Sequence, residues 1–520
     1  MRGVQIVLVL VVLSTVVATF AHRLRVPPPS LLVVAGVVVG LLPQVPAIQV
    51  SPEVVSLVVL PPLLFAAGEE LSWPQLRRVW RPVMVLSVGL VLASAGAVAA
   101  VAELVTPLSL SMAFLLGAVL ASTDPVAVTA LGRRLSLPPR LQTLVQAESL
   151  FNDATSLILF RIAVAAAVTG GSLSIAGVGR QFALLAGGGV LAGLVVAAGT
   201  AFVRSRTEEP VVETVITLVT PYAAYVLAEA AHASGVTAVV VASIFLSLLA
   251  PRLSAPTTRL QLTAVQGTVV FVLESAVFGV IGLALPSLIQ RLSAAGQSWL
   301  IPAVAVTATL LVVRIAWIFP LAVFRPWRHD PRSLRGAWRA PAVLSWAGAR
   351  GVVPLAAALS IPLTDITGAP MPFRDLVQVI ATAVIVISLV VQGFTLAPLV
   401  SLTGVAVPPA DEQAELVRVR LHLAEAALDY IDGQVDRETV APVVADRVRQ
   451  SLRARVELAR EVAEATEPLE AGYRSLRRAV VLVQRAELER LHAAGTASEA
   501  TRRRIQRQLD LEDARYGDET

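Results

Sequence analysis

The sequence predicts an all-α polytopic membrane protein of about thirteen spans with a soluble helical tail, and three observations predict it. Apolar residues make up 56% of the 520 and charged residues only 15%, with mean hydropathy +0.74, far outside the range of soluble globular chains. Apolar runs long enough to cross about 30 Å of hydrocarbon recur as far as residue 400. Beyond residue 405 the composition changes at Pro408 and Pro409 to Arg- and Glu-rich segments with apolar residues at helical spacing.

Taken in order, the spans fall near 4–20, 29–42, 54–68, 82–104, 109–131, 142–169, 179–203, 211–232, 236–249, 264–285, 299–319, 339–359 and 376–400. The first is flanked by His22, Arg23 and Arg25, which retain it as an uncleaved helix instead of a signal peptide. With the N-terminus outside, inside loops hold Arg23, Arg25, Arg77, Arg78, Arg81, Arg133, Arg134, Arg140, Arg204, Arg206, Arg252, Arg259 and the cluster from Arg325 to Arg339. Outside loops then hold only Arg180, Arg291 and Arg374, an asymmetry that fits the positive-inside rule and leaves the tail in the cytoplasm. The expected domains are therefore 1–405, a transmembrane domain, and 406–520, a cytoplasmic helical tail. In the tail, Leu416, Val419, Leu423, Ala427 and Ile431 are spaced to make one apolar face for packing in a small bundle.

Basic residues are all Arg. They exceed acids by 24 to 15 up to residue 405 and trail them by 18 to 22 beyond it, so the surplus positive charge belongs to membrane loops and argues against nucleic-acid binding. No cysteine occurs, which excludes disulfides and thiolate sites.

Polar residues interrupt three of the spans. In the fifth, Ser122, Thr123, Asp124 and Pro125 break an apolar run, and the proline frees backbone groups at membrane depth. In the sixth, Glu148, Ser149, Asn152 and Asp153 form one polar face, rich in the hard oxygen donors that suit a small alkali cation. In the twelfth, Gly348, Ala349, Arg350, Gly351 and Pro354 combine helix-weakening residues with a buried positive charge. The fifth and twelfth are seven places apart in the order of spans, so the two run in opposite directions, as broken helices of an inverted repeat do.

Arg314, inside the eleventh span, needs a partner, and Glu148 is a candidate; if they pair, Glu148 is structural and Asp153 is left to exchange its ligand. Arg161 lies two turns beyond Asp153 but is rotated from it by roughly 80°. Glu274 is a further intramembrane acid whose role the sequence leaves open, and Glu69 and Glu70 read as interfacial.

The stretches Pro61-Pro62-Leu63-Leu64-Phe65, Ser122-Thr123-Asp124-Pro125-Val126-Ala127, Glu148-Ser149-Leu150-Phe151-Asn152-Asp153 and Gly348-Ala349-Arg350-Gly351 together resemble the monovalent cation:proton antiporter family, in the bacterial sodium/proton branch related to the animal exchangers. The resemblance implies a homodimer in the cell membrane, contacting lipid and requiring no cofactor, whose mobile core carries the ion across like an elevator. It implies that Asp153 binds sodium or a proton by turns, that Thr123, Asp124 and Ser149 supply oxygen ligands, and that Asn152 organises the site. It also implies that Glu148 pairs with Arg314, and that Asn152, where electrogenic relatives have a second aspartate, makes exchange electroneutral. Ala66 and Ala67 depart from the family by following Phe65 where many relatives carry an acid, and Glu274 stands where relatives often have Asn. Potassium/proton exchange is the nearest alternative. A cation channel and an intramembrane aspartyl protease using Asp124 and Asp153 are more distant ones.

Overall fold

A computed structural model describes residues 28–42, 55–124, 137–169, 175–207, 209–253, 256–294, 296–324, 338–406, 409–436, 442–464, 468–493 and 499–516. The expected first span, Pro125 and the arginines between 325 and 337 lie outside the described residues.

Within them the chain is helical. The N-terminal portion contains α1 (Pro28–Gly40), α2 (Val55–Glu69), α3 (Trp73–Val105), α4 (Leu110–Leu120), α5 (Pro139–Thr169), α6 (Ile175–Arg204), α7 (Pro210–Ala230) and α8 (Gly235–Leu253). It continues with α9 (Pro256–Ala294), α10 (Leu300–Phe324), the short pair α11 (Arg339–Trp346) and α12 (Val352–Leu359), and α13 (Arg374–Thr403). Seven of these helices are long and apolar enough to cross a membrane, and shorter apolar helices accompany them.

One expected boundary is corrected, for a local cause. The fourth span starts at Trp73 instead of 82: Pro74 suits a first helical turn, and Leu76, Val79 and Val83 form a buried face, so Arg77, Arg78 and Arg81 lie on the helix and not in a loop. In the fifth span α4 ends at Leu120 and residues 121–124 are not helical, as the expected break requires, because Asp124 precedes a proline and is disfavoured in the helical region; residues 125–131 lie outside the described residues.

The helices of residues 28–406 pack in two sets. One joins α3, α4, α5, α10, α11, α12 and α13, and the other joins α1 with α9 and α2, α6, α7 and α8 with one another. Small residues permit the closest approaches in the second set: a methyl on Gly282 would fall 2.6 Å from the Val33 carbonyl oxygen and 2.9 Å from Gly36 Cα, so α1 and α9 meet backbone to backbone. A buried ion pair, Arg204 to Glu213 at 2.6 Å, ties α6 to α7.

Contact clustering divides the chain at Ala406. The second unit holds α14 (Pro409–Asp436), α15 (Pro442–Glu464), α16 (Pro468–Ala493) and α17 (Glu499–Tyr516), with α14 packed on α15 and α16 on α17. On α14 the anticipated face is covered only in part: Ala427 and Ile431 are half-buried, but Val419 and Leu423 are exposed. The half-buried seam runs through Val417, Leu421, Ala424, Leu428 and Ile431, whose alternating steps of four and three are those of helix pairing.

Candidate functional site

Helix α5 runs unbroken for 31 residues, and its middle places Glu148, Ser149, Asn152 and Asp153 in the interior, each with less than a tenth of its surface exposed. Burying four polar groups on one helix requires partners at the same depth, and the break after α4 provides them. Thr123 is clamped to α5 three times: its backbone N–H donates to Asn152 Oδ1 at 3.2 Å, its hydroxyl accepts from Asn152 Nδ2 at 2.7 Å, and its carbonyl accepts from Ser149 Oγ at 2.5 Å. Ser156 Oγ adds a bond to the Ala118 carbonyl at 2.8 Å. The carbonyls freed where α4 ends are thus taken up by α5 side chains.

The two interrupted segments meet at Asp124. Its backbone N–H donates to the Ala349 carbonyl at 2.7 Å, and its Oδ2 accepts from the Val352 N–H at 3.3 Å. The carboxylate therefore lies at the N-terminus of α12, where the helix dipole favours negative charge. The approach requires glycine, because a Cβ on Gly351 would overlap the Asp124 carboxyl group, and one on Gly348 would overlap the Arg314 guanidinium. Gly351→Ala should therefore cost about 1–3 kcal/mol through overpacking. The purified variant is expected to melt below the parent and exchange more slowly, and an unchanged melting temperature would show that the Asp124 contact yields freely.

Glu148 and Arg314 form a two-pronged ion pair, Nη1 to Oε1 at 2.6 Å and Nη2 to Oε2 at 3.1 Å. Arg314 Nη2 and Nε also donate to the Leu344 carbonyl in the last turn of α11, at 3.1 and 3.3 Å. With side chains only 3% and 1% exposed, the pair joins α5, α10 and α11 in the interior. Arg350 is equally buried. Its N–H donates to Ser388 Oγ at 3.0 Å and its Nη1 to the Gly348 carbonyl at 2.9 Å, and among the described residues no carboxylate is within ion-pairing distance of it. A narrow gap lined by Glu148, Asn152, Arg314 and Arg350 separates α3 from these groups and has no room for a water-sized group.

Asp153 differs from its neighbours. It is 7% exposed, its electrostatic neighbours are Asp124 and Ser122, and its Oδ1 is buried with no hydrogen-bond partner among the described residues. Ser122 Oγ, buried and likewise without a close hydrogen-bond partner among the described residues, stands near the Asp153 carboxyl group. Elsewhere in the site nearly every oxygen is engaged, so the unpartnered ones mark where a cation or a proton can be taken up.

Residues 9–402 match the sequence profile described as sodium/hydrogen exchanger, transmembrane. This chain belongs to that family. Among its relatives, an uncharacterized Na(+)/H(+) exchanger of Mycobacterium tuberculosis is 33% identical, covering 99% of this chain and 96% of its own. The sodium, potassium, lithium and rubidium/H(+) antiporter of Bacillus pumilus is 30% identical over 77% of this chain and 61% of its own. The low-affinity Na(+)/H(+) antiporter of Synechocystis is 32% identical over 74% and 71%. The fold is similar to that of the sodium proton antiporter MjNhaP1 from Methanocaldococcus jannaschii, with a TM-score of 0.63, 19% identity, and coverage of 77% of this chain and 98% of that one.

Family membership agrees with the resemblance carried by the Asn152-Asp153 stretch. It makes the chain a secondary transporter that needs no cofactor, which removes the aspartyl protease reading. Of the site residues named from sequence, Thr123, Asp124, Ser149, Asn152 and Asp153 lie together at the two breaks, and Glu148, Arg314 and Arg350 lie beside them. Glu69 bonds to Gln266 on α9, and Arg161 pairs with Glu229 at 2.7 Å, not with Asp153. From sequence, Ser122 is placed in the interrupted run without a role, and Ser388 and the Leu344 carbonyl are not named. Ser122 had a local signal, standing next to Thr123 in the interrupted run, whereas the other two are brought in only by tertiary packing.

Proposed function

We propose that this chain exchanges sodium for protons across the cell membrane, with Asp153 taking a cation or a proton by turns. The observation that carries the reading is the buried Asp153 carboxylate, with an oxygen that has no hydrogen-bond partner among the described residues, near the buried Ser122 hydroxyl. A single group that holds either ion but not both couples the two fluxes by competition. Ser122, Thr123, Asp124 and Ser149 are the sources of further cation-ligating oxygens, from side chains or from the loosened backbone. Asn152 holds Thr123 in place, and the Glu148–Arg314 pair braces the helices. Arg350 adds positive charge at the break, which limits how strongly the site attracts a cation.

Residues 1–405 carry transport in this reading, and residues 406–520 form a cytoplasmic tail, with the N-terminus outside. The protein works as a homodimer, in which the helices that carry the site move as an elevator against the others. Because Asn152 does not titrate, one carboxylate exchanges one cation for one proton. In proteoliposomes loaded with a pH-sensitive dye, sodium should drive proton movement at a rate independent of an imposed membrane potential; a rate that follows the potential would count against one-for-one exchange. Potassium is the second candidate substrate, favoured by the relative from Bacillus pumilus whose name includes potassium, lithium and rubidium. Substituting each alkali cation in the same assay ranks them.

A further inference from the structure

We propose that a cavity between α10, the α11–α12 break and α13 binds a single-chain amphiphile with an anionic head, of the long-chain carboxylate class. The cavity offers about 60 Å³ to water-sized groups, room for a carboxylate head while the chain lies along the mouth. Its floor and its mouth differ in chemistry. On the floor lie Arg350, Arg314, Ser388 and Gln392, and toward the mouth lie Leu311 and Val391. Arg350 is 4% exposed and Val391 46%, so the apolar end is the open one and the charged end is enclosed.

The floor is positively charged. Glu148 neutralises Arg314 through two hydrogen bonds, but among the described residues Arg350 has no such partner. Of the five N–H donors on its guanidinium, the described residues accept from one, through the Gly348 carbonyl. A buried charge without a counter-charge costs several kcal/mol, and a carboxylate matches the planar guanidinium fork with two parallel bonds. A further polar group there is also unsatisfied: Gln392 Oε1 is buried without a partner, and a half-turn of the amide would present its two donors instead.

The mouth selects the rest of the ligand. It opens between α10 and α13, two helices apolar enough to cross a membrane, so the ligand comes from the hydrocarbon and needs a chain that lies along Leu311 and Val391. A small inorganic ion gains nothing from that wall. A single acyl chain buries its methylenes there at about 0.8 kcal/mol each while its head reaches Arg350.

The test is native mass spectrometry of the full-length protein purified in detergent, titrated with dodecanoate, dodecanol or acetate. Binding is read without transport, so the result stands apart from the ion-exchange reading. Dodecanoate should add one molecule per protomer, while dodecanol, which lacks the charge, and acetate, which lacks the chain, should each bind about tenfold more weakly or worse. Arg350→Gln removes the charge, and Val391→Trp fills the mouth at an exposed position outside the ion site. Each should weaken dodecanoate binding by about tenfold, and Val391→Trp should still exchange ions in vesicles. If Arg350→Gln fails to fold, Val391→Trp decides. Equal binding of dodecanol or acetate, or undiminished binding by Val391→Trp, would overturn the proposal.

Discussion

Asp153→Asn abolishes sodium-driven proton movement in proteoliposomes, to the level of protein-free vesicles, while the protein remains folded. The amide matches the carboxyl group in shape but neither ionises nor releases a proton, so competition between the two ions ends. Folding should not suffer, because Asp153 Oδ1 has no hydrogen bond to lose among the described residues, and a buried ionisable group is replaced by a neutral one. The melting temperature should stay level or rise, the usual exchange of function for stability at such sites. Wild-type-like exchange by this variant would refute the assignment of Asp153.

Arg314→Ala has the largest expected effect on stability. It leaves the Glu148 carboxylate, 1% exposed, without a counter-charge, and it strips two donors from the Leu344 carbonyl. Breaking a buried pair on one side costs about 3–5 kcal/mol, whereas replacing both partners with apolar residues of similar volume is often nearly neutral. Thus Arg314→Ala should give little folded protein, and Glu148→Leu with Arg314→Leu should recover much of the loss. A residual deficit is expected because the Leu344 carbonyl stays unpaired. Size-exclusion profiles and melting curves of the single and double variants measure the coupling. If the effects of the single changes simply add, the pair is not a unit.

Much of the site was legible because it follows the local period of one helix. Glu148 and Ser149 stand three to five residues before Asn152 and Asp153 on α5, and helical spacing alone puts them on a shared face. The break at Asp124 was legible from the proline that follows it. What was not legible depends on packing between distant segments: the Asp124 carboxylate receives the Val352 N–H from 228 residues away, and Ser388 reaches the Arg350 N–H from another helix. The same limit explains α14. Two apolar stripes are available on it, through Val419 and Leu423 or through Leu421 and Leu428, and only the partner helix decides which is covered. The start of α3 was hidden by its arginines, whose charge resembled a loop while the buried Leu76, Val79 and Val83 beneath them kept helical spacing.

The central claim, that cation and proton occupy Asp153 in turn, is tested most directly by calorimetric titration of the purified protein with sodium in two buffers of different ionisation enthalpy. The difference in heat between the buffers reports protons released on binding. At a pH where the carboxyl group is protonated, the account predicts close to one proton released for each sodium bound, and no sodium binding by Asp153→Asn. Sodium binding without proton release at every pH, or with the same release in Asp153→Asn, would contradict it.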